Sequence, residues 1–227
     1  MQTALATSCR LPTLGTGLPE TAPASGSAAE PRTATRRAYE ADAEVFSEGD
    51  RTAFFYKVVS GSVRTYKLLS DGRRQIDAFH LPGDIFGVEA GDEHRFSAEA
   101  VSDTKLIVHR REGGALAGSD GSLAREVVAA MMRSLERAQD HMMLLGRKSA
   151  KERIATFLLA LAERLAKKGG ALDLPMPRAD IADHLGLTVE SVSRAVTQLE
   201  RDGLIELPPS RRTVVLRNTA ALRSIAA

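Results

Sequence analysis

In the stretch LGLTVESVSR, residues 185–194, Glu190, Ser193 and Arg194 put a carboxylate, a hydroxyl and a guanidinium within little more than one helical turn. A guanidinium offers a planar fork of donors that matches guanine O6 and N7, and a carboxylate accepts from the cytosine amino group. On the exposed start of a helix, such groups read base edges. The same Glu and Arg, four residues apart on an ordinary solvated helix, would form an ion pair contributing only about 0.3–0.5 kcal/mol. The surrounding elements decide between these two roles.

Residues 178–195 read RADIADHLGLTVESVSRA. Ile181, Leu185 and Leu187 precede or flank a break, and Val192 and Ala195 follow it. Gly186 falls where a tight turn between two helices needs a positive φ, and Thr188 is a natural cap for the second helix. Ala182 is small where the two helices would touch. The pattern predicts a helix-turn-helix. With Val192 and Ala195 buried, Glu190, Ser193 and Arg194 share the outer face and can orient one another. After it, GLIELPPSRRTVVLR predicts two strands joined by a Pro-Pro-Ser-Arg turn, the wing of a winged helix. Arg178, Thr188, Ser191, Arg211 and Arg212 are the candidates for sugar–phosphate contacts, which set register without reading sequence.

Upstream, Val128, Met131, Leu135, Ala138, Met142 and Leu145 recur at alternating spacings of three and four. That is the seam of a coiled coil, and it predicts a long helix that pairs with a second copy of the chain. Gly146 is expected to interrupt it. KERIATFLLALAERLAKKGG then carries one apolar face and ends in basic residues and glycine, a helix stop, and ALDLPMP reads as a short strand. From Arg36 to Arg110 the signals are short β-branched and aromatic runs between turns. FFYKVVSGSVRTYKLL reads as a hairpin broken at Ser60-Gly61, with further turns at Asp71-Gly72, Pro82-Gly83-Asp84 and Ser102-Asp103. Residues 1–35, rich in Ala, Thr, Ser, Gly and Pro without periodic apolar spacing, are expected to be a disordered arm. The expected organisation is α+β. It comprises the arm at 1–35, an N-terminal β-roll at 36–118, a dimerisation helix at 119–146 and a C-terminal winged helix-turn-helix at 147–227.

Charge is uneven along the 227 residues. Residues 1–146 hold 17 Lys/Arg against 20 Asp/Glu, net −3, whereas residues 147–217 hold 13 against 9, net +4. A basic C-terminal part suits a polyanion. No apolar run approaches the roughly 18–20 residues that span a bilayer. MQTALATSCRLPTLGTGLPE lacks the basic and apolar regions of a secretory leader, and Cys9 is the single cysteine, too few for a disulfide or a cysteine-built metal site within one chain. These features point to the cytoplasm. The five histidines, His80, His94, His109, His141 and His184, lack the spacing of a cupin metal site, and no phosphate-binding loop, dinucleotide fingerprint or nucleophile elbow is present. An enzyme is not expected, nor a metal or other cofactor.

A β-roll, a long dimer helix and a winged helix, in that order, resemble the Crp/Fnr family of bacterial transcription regulators. KLLSDGRRQIDAFHLPGDIFGVEAG and LPMPRADIADHLGLTVESVSR are similar to its FixK-type members. The resemblance implies a homodimer that binds double-stranded DNA at a TTGAT-N4-ATCAA-type palindrome, with Glu190, Ser193 and Arg194 as readers. It also implies contact with RNA polymerase, mostly in activation, and a place in a low-oxygen or nitrogen-fixation cascade. The departures carry information. Fnr oxygen sensors hold an iron–sulfur cluster on four cysteines, and this chain has Cys9 alone. The cyclic-nucleotide branch has a glutamate after the roll's glycine, and here Val88 follows Gly87, with Glu89 one residue displaced and His94-Arg95 in the later phosphate region. The resemblance therefore implies action without an effector. The competing expectation is a sensor whose roll binds an unidentified small molecule that switches DNA affinity.

Overall fold

The structure is a computed structural model that describes residues 34–111, 121–165, 170–209 and 212–227. Eight short strands open the described chain: β1 (Ala34–Tyr39), β2 (Glu44–Phe46), β3 (Phe54–Ser60), β4 (Val63–Leu68), β5 (Arg74–His80), β6 (Ile85–Phe86), β7 (Ser97–Ala100) and β8 (Thr104–Arg110). They form two antiparallel sheets of four, in the orders β1-β8-β3-β6 and β2-β7-β4-β5. Alternate side chains of both sheets meet between them, among them Phe46, Tyr56, Val58, Val63, Phe86, Ala98 and Leu106, all buried. This is the expected roll. The expected arm reaches only to residue 33 at most, because β1 begins at Ala34 and pairs along its length with β8. The rest of that segment lies outside the described residues.

The hairpin expected at Ser60-Gly61 is corrected by the sheet order. β3 and β4 lie in different sheets, and the chain crosses from one to the other between them. Gly61 takes φ +83°, and a Cβ there would fall 2.4 Å from the Asp103 carbonyl and the Thr104 hydroxyl. Its glycine serves close packing against another strand rather than a two-residue hairpin. The turn at Asp71-Gly72 does join paired strands, β4 and β5.

Helix α1 (Gly121–Arg147) follows, 27 residues long. Val127 and Ala130 pack against Phe55 and Ile85 of the roll. Gly146 does not interrupt α1, which continues to Arg147. The chain turns instead at Lys148-Ser149, where a reciprocal capping box starts α2 (Ala150–Leu165). The Ser149 N–H donates to the Glu152 carboxylate at 2.6 Å, and the Glu152 N–H donates to the Ser149 hydroxyl at 3.4 Å.

The C-terminal part continues with β9 (Ala171–Asp173), α3 (Arg178–Leu185), α4 (Val189–Arg201), β10 (Ile205–Glu206), β11 (Thr213–Leu216) and α5 (Thr219–Ala226). The three strands form one antiparallel sheet, β10-β11-β9. Ile154, Phe157, Leu158, Leu161, Ile181, Leu185, Val192, Leu199 and Leu222 build the core beneath. Helix α5 was not expected from the sequence. Asn218 caps it by accepting the Ala221 N–H at 3.0 Å, and Leu222 is fully buried.

Candidate nucleic-acid interface

The turn between α3 and α4 forms by local chemistry. Gly186 ends α3 in the left-handed region, φ 60° and ψ 42°, and the Leu187 N–H reaches back to the Ala182 carbonyl at 3.0 Å. Thr188 caps α4 by accepting the Ser191 N–H at 3.2 Å. Ile181, Ala182 and Leu185 of α3 and Val192, Ala195, Val196 and Leu199 of α4 are buried. The inner faces therefore fix the outer ones. Glu190 and Arg194 are exposed on the first turns of α4, and Ser193 between them is half-buried.

The expected mutual orientation of Glu190 and Arg194 takes a different form. Arg194 Nε donates to the Glu190 backbone carbonyl at 3.4 Å, a long bond, and not to the carboxylate. The Glu190 carboxyl is held below the usual range by its own backbone N–H, the Thr188 hydroxyl and the nearby Arg194 charge. The carboxylate stays ionised and both side-chain ends face outward, one accepting and one donating.

The candidate backbone contacts scatter around this helix. Thr188 is exposed and Ser191 half-buried at its start. Arg178, the first residue of α3, shares with Arg212 the rim of a narrow apolar notch of about 60 Å³ floored by Phe157, Ile181 and Val192. Arg211 lies outside the described residues.

Of the expected seam, Val128, Met131, Leu135 and Met142 are 57%, 45%, 53% and 65% exposed in the single chain, while Val127 and Ala130 on the other side of α1 are buried. Ala138 is also exposed. Leu145 departs from the pattern: it is half-buried and packs against the C-terminal core of its own chain.

Two further groups of residues, not singled out from the sequence, position α3. Arg64 of the roll donates to Asp180 at 2.9 Å, to Asp42 at 2.9 Å and to Glu99 at 3.0 Å. Arg74 donates to the same Asp180 and, at 2.9 Å, to Asp183. Below them the His184 ring lies 4.1 Å from the His141 ring, nearly parallel, and its Nδ1 is 3.1 Å from the Ile76 carbonyl. The second group centres on Arg153, whose guanidinium spans three backbone carbonyls of Leu145, Lys148 and Leu185.

The roll has a cavity of about 230 Å³ facing α1, bounded in part by Thr65, Asp77, Glu89, Arg95 and Ser134. Val88 packs against the apolar cluster of Phe55, Ile85, Val127 and Ala130. The Glu89 carboxylate accepts the Arg95 N–H at 3.3 Å. Val88, an aliphatic residue, follows Gly87, and Glu89 lines the cavity one position further on.

A roll carrying a long helix and a winged helix-turn-helix with an exposed acid and base on its second helix is the architecture of a DNA-binding transcription regulator. Residues 36–113 match the cyclic nucleotide-binding domain and residues 152–225 the Crp-like helix-turn-helix domain. The nitrogen fixation regulation protein FixK of Azorhizobium caulinodans is 51% identical over 189 residues, covering 81% of this chain and 76% of that protein. FixK of Rhizobium meliloti is 46% identical over 187 residues, covering 82% and 85%. The structure of FixK2 from Bradyrhizobium japonicum superposes with a TM-score of 0.79 at 49% identity, covering 86% of this chain and 98% of that one. The chain belongs to the Crp/Fnr family of transcription regulators. No helix among the described residues is long and apolar enough to cross a membrane.

Proposed function

We propose that this regulator acts as a homodimer paired along α1, and that it binds a TTGAT-N4-ATCAA-type palindrome with Glu190, Ser193 and Arg194 of each protomer. The observation that carries this reading is the two-sided α1. Its Val127 face is covered by the roll, while the seam from Val128 to Met142 stays exposed over four turns. A strip of that composition is covered in solution, and a parallel partner helix covers it in register. Two-fold pairing sets two recognition helices about one helical turn apart, which a palindrome mirrors. The names of the FixK relatives support a role in nitrogen-fixation regulation, and we read that role as mainly activating and as part of a low-oxygen cascade. Action is cytoplasmic, at promoters where surface loops meet RNA polymerase. Val88 supports effector-independent binding.

A second reading has its own support. The polar walls of the roll cavity, Asp77, Glu89 and Arg95, suit a small polar effector that shifts DNA affinity. Fluorescence anisotropy on three labelled duplexes tests the primary reading: the palindrome, the palindrome with one half-site scrambled, and a fully scrambled site. The reading expects affinity to drop in two steps, and equal binding to all three would end it.

A further inference from the structure

We propose that Arg153 is a positioning residue for palindrome recognition, setting the spacing between the two recognition helices of the dimer. This rests on the dimeric reading above. The side chain leaves the first turn of α2 and lies at the junction of three segments. Nη2 takes the Leu145 carbonyl at 3.0 Å, Nε the Lys148 carbonyl at 2.8 Å and Nη1 the Leu185 carbonyl at 2.8 Å. Leu145 lies in the last turn of the dimer helix, Lys148 in the linker, and Leu185 is the last residue of α3 before the Gly186 turn.

The chemistry makes this a joint rather than a surface contact. The last carbonyls of a helix have no partner within the helix and carry its negative partial charge. Arg153 supplies fixed donors to the C-terminal ends of two helices at once. A planar guanidinium holds its donors in a rigid fork, so three bonds in one plane fix direction as well as distance. The Gly186 turn sits against it, since a Cβ on Gly186 would be 3.5 Å from Arg153 Nη1 and 3.5 Å from the Leu145 side chain. One side chain thus couples the end of the helix that pairs the protomers to the turn that aims α4.

The consequence is specific. In a dimer, the angle at this joint decides which separation of half-sites both α4 helices can reach together. One added base pair rotates the half-sites by about 35° relative to each other. A rigid joint rejects that change, and a loose one tolerates it. Base reading within one half-site depends on α4 itself and is unaffected.

The test uses the full-length protein and palindromes whose half-sites are separated by three, four, five or six base pairs. The wild type is expected to prefer its best spacer by about tenfold or more over its neighbours. Arg153→Gln should flatten that preference to about twofold, while keeping the discrimination between intact and mutated half-sites and the dimeric state in sedimentation. Arg153→Lys, which keeps the charge but loses the fork, should fall between them. If either variant retains the wild-type spacer profile, the positioning role is wrong. Should both variants unfold, as read by circular dichroism, or lose half-site and spacer discrimination together, Arg153 is part of the scaffold only and the proposal is overturned. A wild-type protein indifferent to spacer length would instead overturn the dimeric reading, and the positioning role with it.

Discussion

The guanidinium of Arg64 in the roll donates to the carboxylate of Asp180 in α3 at 2.9 Å, and both residues are buried, 7% and 2% exposed. They are 116 positions apart in sequence. The pair docks α3, the first helix of the helix-turn-helix, on the β4-β5 face, with Arg74 completing the carboxylate's partners from the other side. Buried charges of this kind persist only when each is paired, and removing one partner leaves the other uncompensated.

Asp180→Ala should therefore destabilise the protein by about 3 kcal/mol, near the low end for a broken buried pair, because Arg64 keeps Glu99 and Asp42. Urea unfolding measures it. A loss within the range of a surface substitution, under about 0.5 kcal/mol, would show that α3 does not depend on the roll for its seat.

Arg194→Ala should weaken operator binding by about 1–3 kcal/mol per half-site, concentrated on the G·C pair of TTGAT. Titrating the variant against duplexes changed at each position gives the pattern. Uniform weakening across sequences would reassign Arg194 to a phosphate contact.

Leu135→Glu puts a charge on the seam, where pairing would bury it without a partner. The expected outcome is a monomer that no longer binds the palindrome. Sedimentation at micromolar concentration decides, and a variant that stays dimeric would show that the protomers pair through another surface.

What could be read in the sequence was local. Gly186, Thr188 and the apolar spacing around them act within a few residues, so the turn, the cap and the outward face of Glu190 and Arg194 follow from short-range chemistry. The α1 seam is similarly periodic. At Ser60-Gly61 a glycine between two strands suits a tight turn as well as close packing, and only the sheet order and the contact with Thr104 distinguish them. Arg64, Asp180 and Arg153 gave no signal. Their partners are distant charged side chains or backbone carbonyls, and neither leaves a period or a spacing. Leu145 fits the seam's period, yet the turn into α2 brings the C-terminal core against it.

Stability should fall on mild acidification. Burial drives the His184 imidazole down to about 3, with the His141 ring adding to the effect. Burial likewise drives His80 down to about 4, against the opposing pull of Asp84. Both are neutral in the folded protein, while the unfolded chain takes up protons below about 6.5. The stabilisation is thus complete above 6.5 and is lost as pH falls from there toward 4 and 3, by about 1.4 kcal/mol per pH unit for each imidazole. Unfolding midpoints measured between pH 7.5 and 5 should decline, and His184→Phe should make the decline shallower. A flat profile would mean that these rings are not held neutral.

The central claim is that the folded dimer binds its palindrome without a small-molecule signal. The most direct measurement is a titration of purified, metal-free protein against a TTGAT-N4-ATCAA duplex in air, at several salt concentrations, with and without cyclic AMP. The account predicts specific binding in every case, an affinity that falls steeply with salt as phosphate contacts release counterions, and no change on adding the nucleotide. A ligand shifts a conformational equilibrium only through different affinity for its two states. If cyclic AMP tightened binding tenfold, about 1.4 kcal/mol of coupling, effector-independent action would be contradicted, and Arg95 at the rim of the roll cavity would be the first residue to substitute.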